Sequence, residues 1–229
     1  MQPILTAAQL HLLRMIFDRG TEAASQALSK WLGEDLRLTM NTVSEVEMAQ
    51  AVELLGPPES LVAACSMGLS GRLYGLILLV FKDSSGLALF DLLMHQNIGT
   101  TTNWGELEES AAKETTNIVG CAYVNALASH LASAPAQALS QDETGRAETA
   151  AAGDLVPTPP TFVHEFAGSL LQFAFMEQAL ELDQVLVIRS ELRADRPGLN
   201  LDWTLLFVPS RASRHALAAS LLELESRRS

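Results

Sequence analysis

The run Leu107-Glu108-Glu109-Ser110-Ala111-Ala112-Lys113-Glu114-Thr115-Thr116-Asn117-Ile118-Val119-Gly120, continued through Tyr123-Val124-Asn125-Ala126-Leu127, decides how the rest of the chain is read. It lies within a helical pattern that extends from Trp104 to Leu131. At about 100° per residue, Ser110, Glu114, Asn117 and Cys121 fall in one narrow stripe, whereas Ala111, Ala112, Ile118, Val119, Ala122 and Ala126 form a broad apolar face turned away from it. Such a helix buries one side and presents a polar line on the other. Thr115, Thr116 and Asn117 are weak helix formers, each costing roughly a few tenths of a kcal/mol in a helix interior. A local preference overridden in this way marks either a functional site or a residue that satisfies a neighbour.

Working outward, the first half opens on a second long helical pattern, Leu5 to Leu32, stopped by Gly33 and weakened in its middle by Gly20. A strand is expected at Leu36 to Met40 and a short helix at Glu47 to Leu55, ending at Gly56-Pro57-Pro58. The runs Leu61 to Met67 and Arg72 to Phe81 read as a hairpin around Gly68-Leu69-Ser70-Gly71, followed by a helix over Ser84 to Gln96 capped by Asp83 or Ser84. After the second long helix, Phe162 to Leu180 reads as a shorter helix. Gln184 to Leu192 and Leu199 to Val208 read as a hairpin around Arg193 to Gly198, and Arg211 to Ser226 as a closing helix.

The order long helix, short helix, hairpin, helix therefore occurs twice. Weak echoes accompany it: Gln26-Ala27-Leu28-Ser29-Lys30-Trp31-Leu32 beside Asn125-Ala126-Leu127-Ala128-Ser129-His130-Leu131, and Leu78-Leu79-Val80-Phe81 beside Leu205-Leu206-Phe207-Val208. The expectation is an α/β chain of the α+β type: one domain over residues 1–229, built from halves of about 1–100 and 101–229. The halves would share a β-sheet, each contributing a long helix. Ala136 to Gly153, polar and without apolar periodicity, is expected to be a mobile surface loop.

Composition narrows the function. A chain of 229 residues with 48% apolar content can bury a continuous core, and a net charge of −12 repels phosphate backbones, so nucleic acid is not an expected ligand. The longest wholly apolar run, Leu76 to Phe81, is far short of the roughly 20 residues that span a bilayer, so membrane insertion is not expected either. The start lacks the basic and hydrophobic blocks of an export signal, and Cys65 and Cys121 form no CxxC pair. A cytoplasmic protein is expected. There is no GxGxxG, P-loop or GxSxG, and His11, His95, His130, His164 and His215 lack the spacing of a helical zinc site; His95 and His215 read as structural or surface residues.

The helix carrying Ser110, Glu114 and Asn117 resembles the signature of the CheC, CheX and FliY family of chemotaxis phosphatases, with CheC the nearest likeness: Asp or Ser, three residues, Glu, two residues, Asn, and a proline further on. Ser110, Glu114 and Asn117 match the three side-chain positions. Pro157-Thr158-Pro159-Pro160, Ala167-Gly168 and Leu54-Leu55-Gly56-Pro57-Pro58-Glu59 resemble other family segments, so the likeness covers nearly the whole chain, and the family is itself internally duplicated. Two departures stand out. Met15 and Asp18 occupy the first-half positions aligned with Glu114 and Asn117, which implies one working site. The longer separation between Asn117 and Pro157 leaves open which of Pro157, Pro159 and Pro160 takes the motif position.

The resemblance implies a phosphatase acting on the aspartyl phosphate of a CheY-type response regulator. Asn117 would orient the attacking water, Glu114 would pair with a lysine of the partner's pocket, and Ser110 would contact the partner. No cofactor or metal-ligand set is expected in this chain; the magnesium ion would belong to the regulator. Two alternatives stay open: a non-catalytic module that binds a response regulator or the deamidase CheD, and a flagellar switch component resembling FliY. The second fits less well, because those proteins carry a further switch-binding domain and this sequence ends soon after its closing helix.

Overall fold

A computed structural model describes residues 4–131, 155–170, 184–194 and 200–226. The segment Ala136 to Gly153 lies outside the described residues. Helix α1 (Ala7–Leu32) is closed at its start by a reciprocal cap: Thr6 Oγ1 accepts from the Gln9 amide at 3.2 Å, and Gln9 Oε1 accepts from the Thr6 amide at 2.8 Å. It ends at Gly33, whose φ of 70° is the left-handed conformation that glycine adopts without penalty. Strand β1 (Leu36–Glu47) and helix α2 (Met48–Leu55) follow. Next come β2 (Leu61–Gly71), β3 (Gly75–Lys82), α3 (Asp83–Leu93) and the second long helix, α4 (Glu106–Leu131). Beyond it lie β4 (Leu155–Pro157), β5 (Thr161–Phe166), a helical turn that begins at Ala167, β6 (Gln184–Ala194), β7 (Asn200–Pro209) and α5 (Arg211–Ser226).

The seven strands form one antiparallel sheet in the order β1-β6-β7-β3-β2-β4, with β5 also paired to β2. The arrangement is pseudo-two-fold about the central β3–β7 pair. Each hairpin, β2–β3 or β6–β7, takes an outer strand from the opposite half: β1 joins β6, while β4 and β5 join β2. Alternation along the strands divides the core into two. Ala63, Cys65, Met67, Leu79, Ile188 and Phe207 face α1 and α4; Val62, Ala64, Leu78, Val80, Val187 and Leu206 face α2 and the turn at Ala167. The two long helices thus share one face of one sheet, as expected.

Four expectations need correction. Gly68 to Gly71 is not the hairpin turn. Strand β2 continues to Gly71 because its other edge is occupied, with Leu69, Ser70 and Gly71 in register with Pro157, Val156 and Leu155, so the chain reverses only at residues 72–74. Phe162 does not begin a helix: Thr161–Phe166 pairs residue for residue with β2, and helical structure starts at Ala167; residues 171–180 of that expected helix lie outside the described residues. Strand β1 runs past Met40 to Glu47 through a bulge between Met40 and Thr42, drawn on by a full-length pairing with β6. Neither Asp83 nor Ser84 caps α3. Lys82 holds that position without a side-chain cap, and the Asp83 carboxylate is engaged by Trp104 and His164.

Candidate functional site

Close approach at two glycines seats α4. At Gly120 an added Cβ would lie 2.7 Å from Met67 Sδ, and at Gly20 it would lie 3.1 Å from Tyr123 Cα, so one glycine lets α4 settle on β2 and the other lets α1 cross it. The Gly20 that weakens α1 locally is therefore the residue that permits the crossing. Tyr123 shares a 2.8 Å hydrogen bond with Thr21 and meets Phe17 edge to face, with ring centroids 5.4 Å apart. Thr115 and Thr116 are fully buried rather than part of the outer polar line. Their hydroxyls donate back to the carbonyls of Ala111 at 2.8 Å and Ala112 at 2.9 Å, which satisfies them inside the helix.

On the outer side Ser110 and Glu114 are exposed, and Asn117 and Cys121 are half-buried. These four keep the spacing read from the sequence. Ser110 Oγ donates to the Glu106 carbonyl at 2.6 Å, and Cys121 Sγ donates to Asn117 Oδ1 at 3.5 Å. Burial, with the Glu114 charge adding to it, pushes the Cys121 thiol above its ordinary pKa, which keeps it protonated and able to donate at neutral pH. Burial likewise pushes the Cys65 thiol, beneath Thr116, up to about 11.

Opposite this line stands the proline segment. Ser110, Lys113, Glu114, Asn117 and residues 157–160 line an open groove of about 520 Å³. The far wall is pinned to the sheet: the Thr158 amide donates to the Gly68 carbonyl at 2.9 Å, and the Gly68 amide donates to Thr158 Oγ1 at 2.8 Å. All three candidate prolines, Pro157, Pro159 and Pro160, reach the groove. The other segments singled out by pattern also meet, since the Ala167 and Gly168 amides donate to the carbonyls of Ser60 and Pro58 at 2.8 and 3.0 Å.

Sequence reasoning passed over a cluster where α3, β5 and the approach to α4 converge. Asp83 Oδ1 accepts from Trp104 Nε1 at 2.7 Å and lies 2.8 Å from His164 Nε2, and the Trp104 ring packs against Phe162 with centroids 5.1 Å apart. The alternation of Phe162, His164 and Phe166 was the available signal, and it was hidden by the helical reading of that segment. On α1, Met15 and Asp18 are exposed. The groove of about 420 Å³ beside Met15 is lined by Met15, Arg19, Asn125 and His130, among others; Asp18 does not line it, and its lining pairs no carboxylate with a carboxamide. Among the described residues no three His, Cys, Asp or Glu side chains converge as a metal site, and no helix is long and apolar enough to cross a membrane.

No family model matches the sequence. Among solved structures, FliY of Thermotoga maritima superposes with a TM-score of 0.71 over 96% of this chain and 99% of its own, at 19% identity. The fold is that of FliY. The FliM middle domain of H. pylori shares it, with a TM-score of 0.64 over 94% of this chain and 99% of its own at 10% identity. A chain of the H. pylori FliG–FliM complex also shares it, with a TM-score of 0.63 over 93% of this chain and 100% of its own at 11% identity. At these identities the likeness is one of fold.

Proposed function

We propose that this protein dephosphorylates a CheY-type response regulator in the cytoplasm, through one site on α4. The observation that carries the reading is an exposed carboxylate, Glu114, less than one helical turn from a half-buried carboxamide, Asn117, both lining one open groove. Aspartyl phosphate is an activated mixed anhydride, so the work left to the enzyme is to place water in line with phosphorus. The Asn117 side chain suits that purpose. Its carboxamide oxygen, which among the described residues accepts a weak S–H bond from Cys121, keeps a lone pair for the water, and its NH₂ donates to a phosphoryl oxygen. The water oxygen bonds to phosphorus as the bond from phosphorus to the aspartyl oxygen breaks. The products are a free carboxylate and inorganic phosphate, and the water's protons pass to phosphate and solvent.

Glu114 would repel a phosphoryl group at contact, so its role is to pair with a lysine of the partner. Ser110, which also lines the groove, contacts the docked surface. Magnesium stays with the regulator, held by the regulator's own carboxylates. The α1 positions Met15 and Asp18 provide no second site.

A second reading, a docking module without turnover for a regulator or CheD, draws on the FliY-like fold being shared by a chain solved in the FliG–FliM complex. The two readings separate in one experiment. A response regulator charged with acetyl phosphate and magnesium is freed of excess donor, and inorganic phosphate is followed with this protein at one-hundredth of the regulator concentration. Accelerated release of a full equivalent supports the phosphatase; complex formation with release no faster than that of the regulator alone supports the docking module.

A further inference from the structure

The geometry points to Lys113 as the groove's phosphoryl-binding cation, a role that rests on the phosphatase reading and extends it to a residue outside the Ser, Glu and Asn pattern. Among the described residues lining the groove, Lys113 is the one cation. It stands four residues before Asn117, so the two side chains share one row of the α4 surface, with Cβ atoms about 5–6 Å apart. A lysine stem can cross that distance. The ammonium therefore has access to the phosphoryl oxygens of any group whose attacking water is held by the Asn117 carboxamide.

In the free protein the ammonium rests against Glu109, at 3.7 Å, with both side chains 40% exposed. An exposed pair at that separation holds little net energy, because solvent screens it and both long side chains lose rotamer freedom to form it. It is readily exchanged for a better anion. A phosphoryl group offers more charge and more acceptors than Glu109, and it arrives with its hydration partly stripped by docking. Charge balance calls for such a cation. The chain carries −12 overall and places Glu114 in the same groove, so a phosphoryl group brought into it meets repulsion that a local positive charge reduces. Glu109, Lys113 and Asn117 then act in sequence along one face: Glu109 holds the ammonium while the groove is empty, and Lys113 transfers to the phosphoryl oxygens when the partner docks.

The test uses the full chain and a CheY-type regulator charged with acetyl phosphate and magnesium, comparing wild type, Lys113→Gln, Lys113→Arg, Glu109→Gln and Asn117→Ala. Lys113→Gln should lower kcat/KM by roughly 10- to 100-fold, the loss expected for one charge-assisted hydrogen bond, and should flatten its dependence on ionic strength. Lys113→Arg should recover most of the rate, and Glu109→Gln, which frees the ammonium, should lower KM. Thermal unfolding should be the same for all of them, since these side chains are not packed in the core. Lys113→Gln within twofold of wild type, while Asn117→Ala is inactive, overturns the lysine assignment and leaves the phosphatase reading intact. If wild type itself releases no phosphate beyond the regulator's own rate, the phosphatase reading fails and takes the lysine role with it.

Discussion

Replacing Gly120 with alanine probes the contact on which the placement of Asn117 depends. The new Cβ would lie 2.7 Å from Met67 Sδ, against the 3.4 Å of ordinary contact, so about 0.7 Å must be found by moving Met67 or lifting α4. Met67 is 1% exposed and packed in the main core, which limits its freedom to retreat. Overpacking of this kind costs about 1–3 kcal/mol. Opposing it, alanine is favoured over glycine within a helix by about 0.8–1.0 kcal/mol. The net expectation is a loss of about 1 kcal/mol, read by urea denaturation followed by circular dichroism. A larger effect is expected on phosphate release, because a displacement approaching 1 Å one turn from Asn117 can cost about 100-fold in rate. The background of Met67→Ala sharpens the test. With the sulfur gone, only helix propensity remains, and Gly120→Ala should then stabilise by about 1 kcal/mol. A gain of that size already in the wild-type background would show that Met67 yields freely, and that α4 is not seated by this contact.

Two further outcomes follow from the same packing. The fully buried Asp91 carboxylate accepts from the Gly99, Thr100 and Thr101 amides at 2.7, 3.1 and 2.9 Å and from Thr101 Oγ1 at 2.6 Å, closing the loop before α4. Burial alone would raise its pKa, but the hydrogen bonds prevail and hold it below the usual carboxylate range. Asp91→Ala should cost about 3–5 kcal/mol at neutral pH. Because the folded-state pKa is depressed, the part of this stabilisation that depends on ionisation is complete above about pH 4 and is lost as pH falls through the folded value, so the denaturation midpoints of mutant and wild type should draw closer in acid. A gap that stayed constant with pH would contradict the assignment. Tyr123→Phe, which removes the hydrogen bond to Thr21, should cost about 1 kcal/mol in the same denaturation assay.

What could be read from the chain alone followed the strength of local signals. The closing helix, Arg211 to Ser226, and the end of α1 at Gly33 were legible because the local pattern is strong there, with a glycine stop added at Gly33. The polar line from Ser110 to Cys121 was legible for the same reason: 100° spacing is a property of the chain, and the structure keeps all four residues on the outer side. Non-local pairing was not. Gly68 to Gly71 looks like a turn until β4 is seen on its other edge, and Phe162 to Phe166 looks helical until β2 is beside it, since no short-range pattern reports a partner so far away in the chain. The burial of Thr115 and Thr116 was not legible either, because periodicity cannot anticipate hydroxyls satisfied by the helix's own carbonyls. The Asp83, His164 and Trp104 cluster depends on separate parts of the chain meeting.

The proposed phosphatase activity rests on the Asn117 carboxamide aligning the water that attacks a partner's aspartyl phosphate. Its most direct test is a single-turnover measurement of phosphate release from a charged response regulator, with Asn117→Ala in saturating excess and binding monitored separately. Regulator binding should stay close to wild type while the rate falls by at least about 100-fold, the scale of losing one positioned polar group. A rate within a few-fold of wild type at equal occupancy would contradict that role.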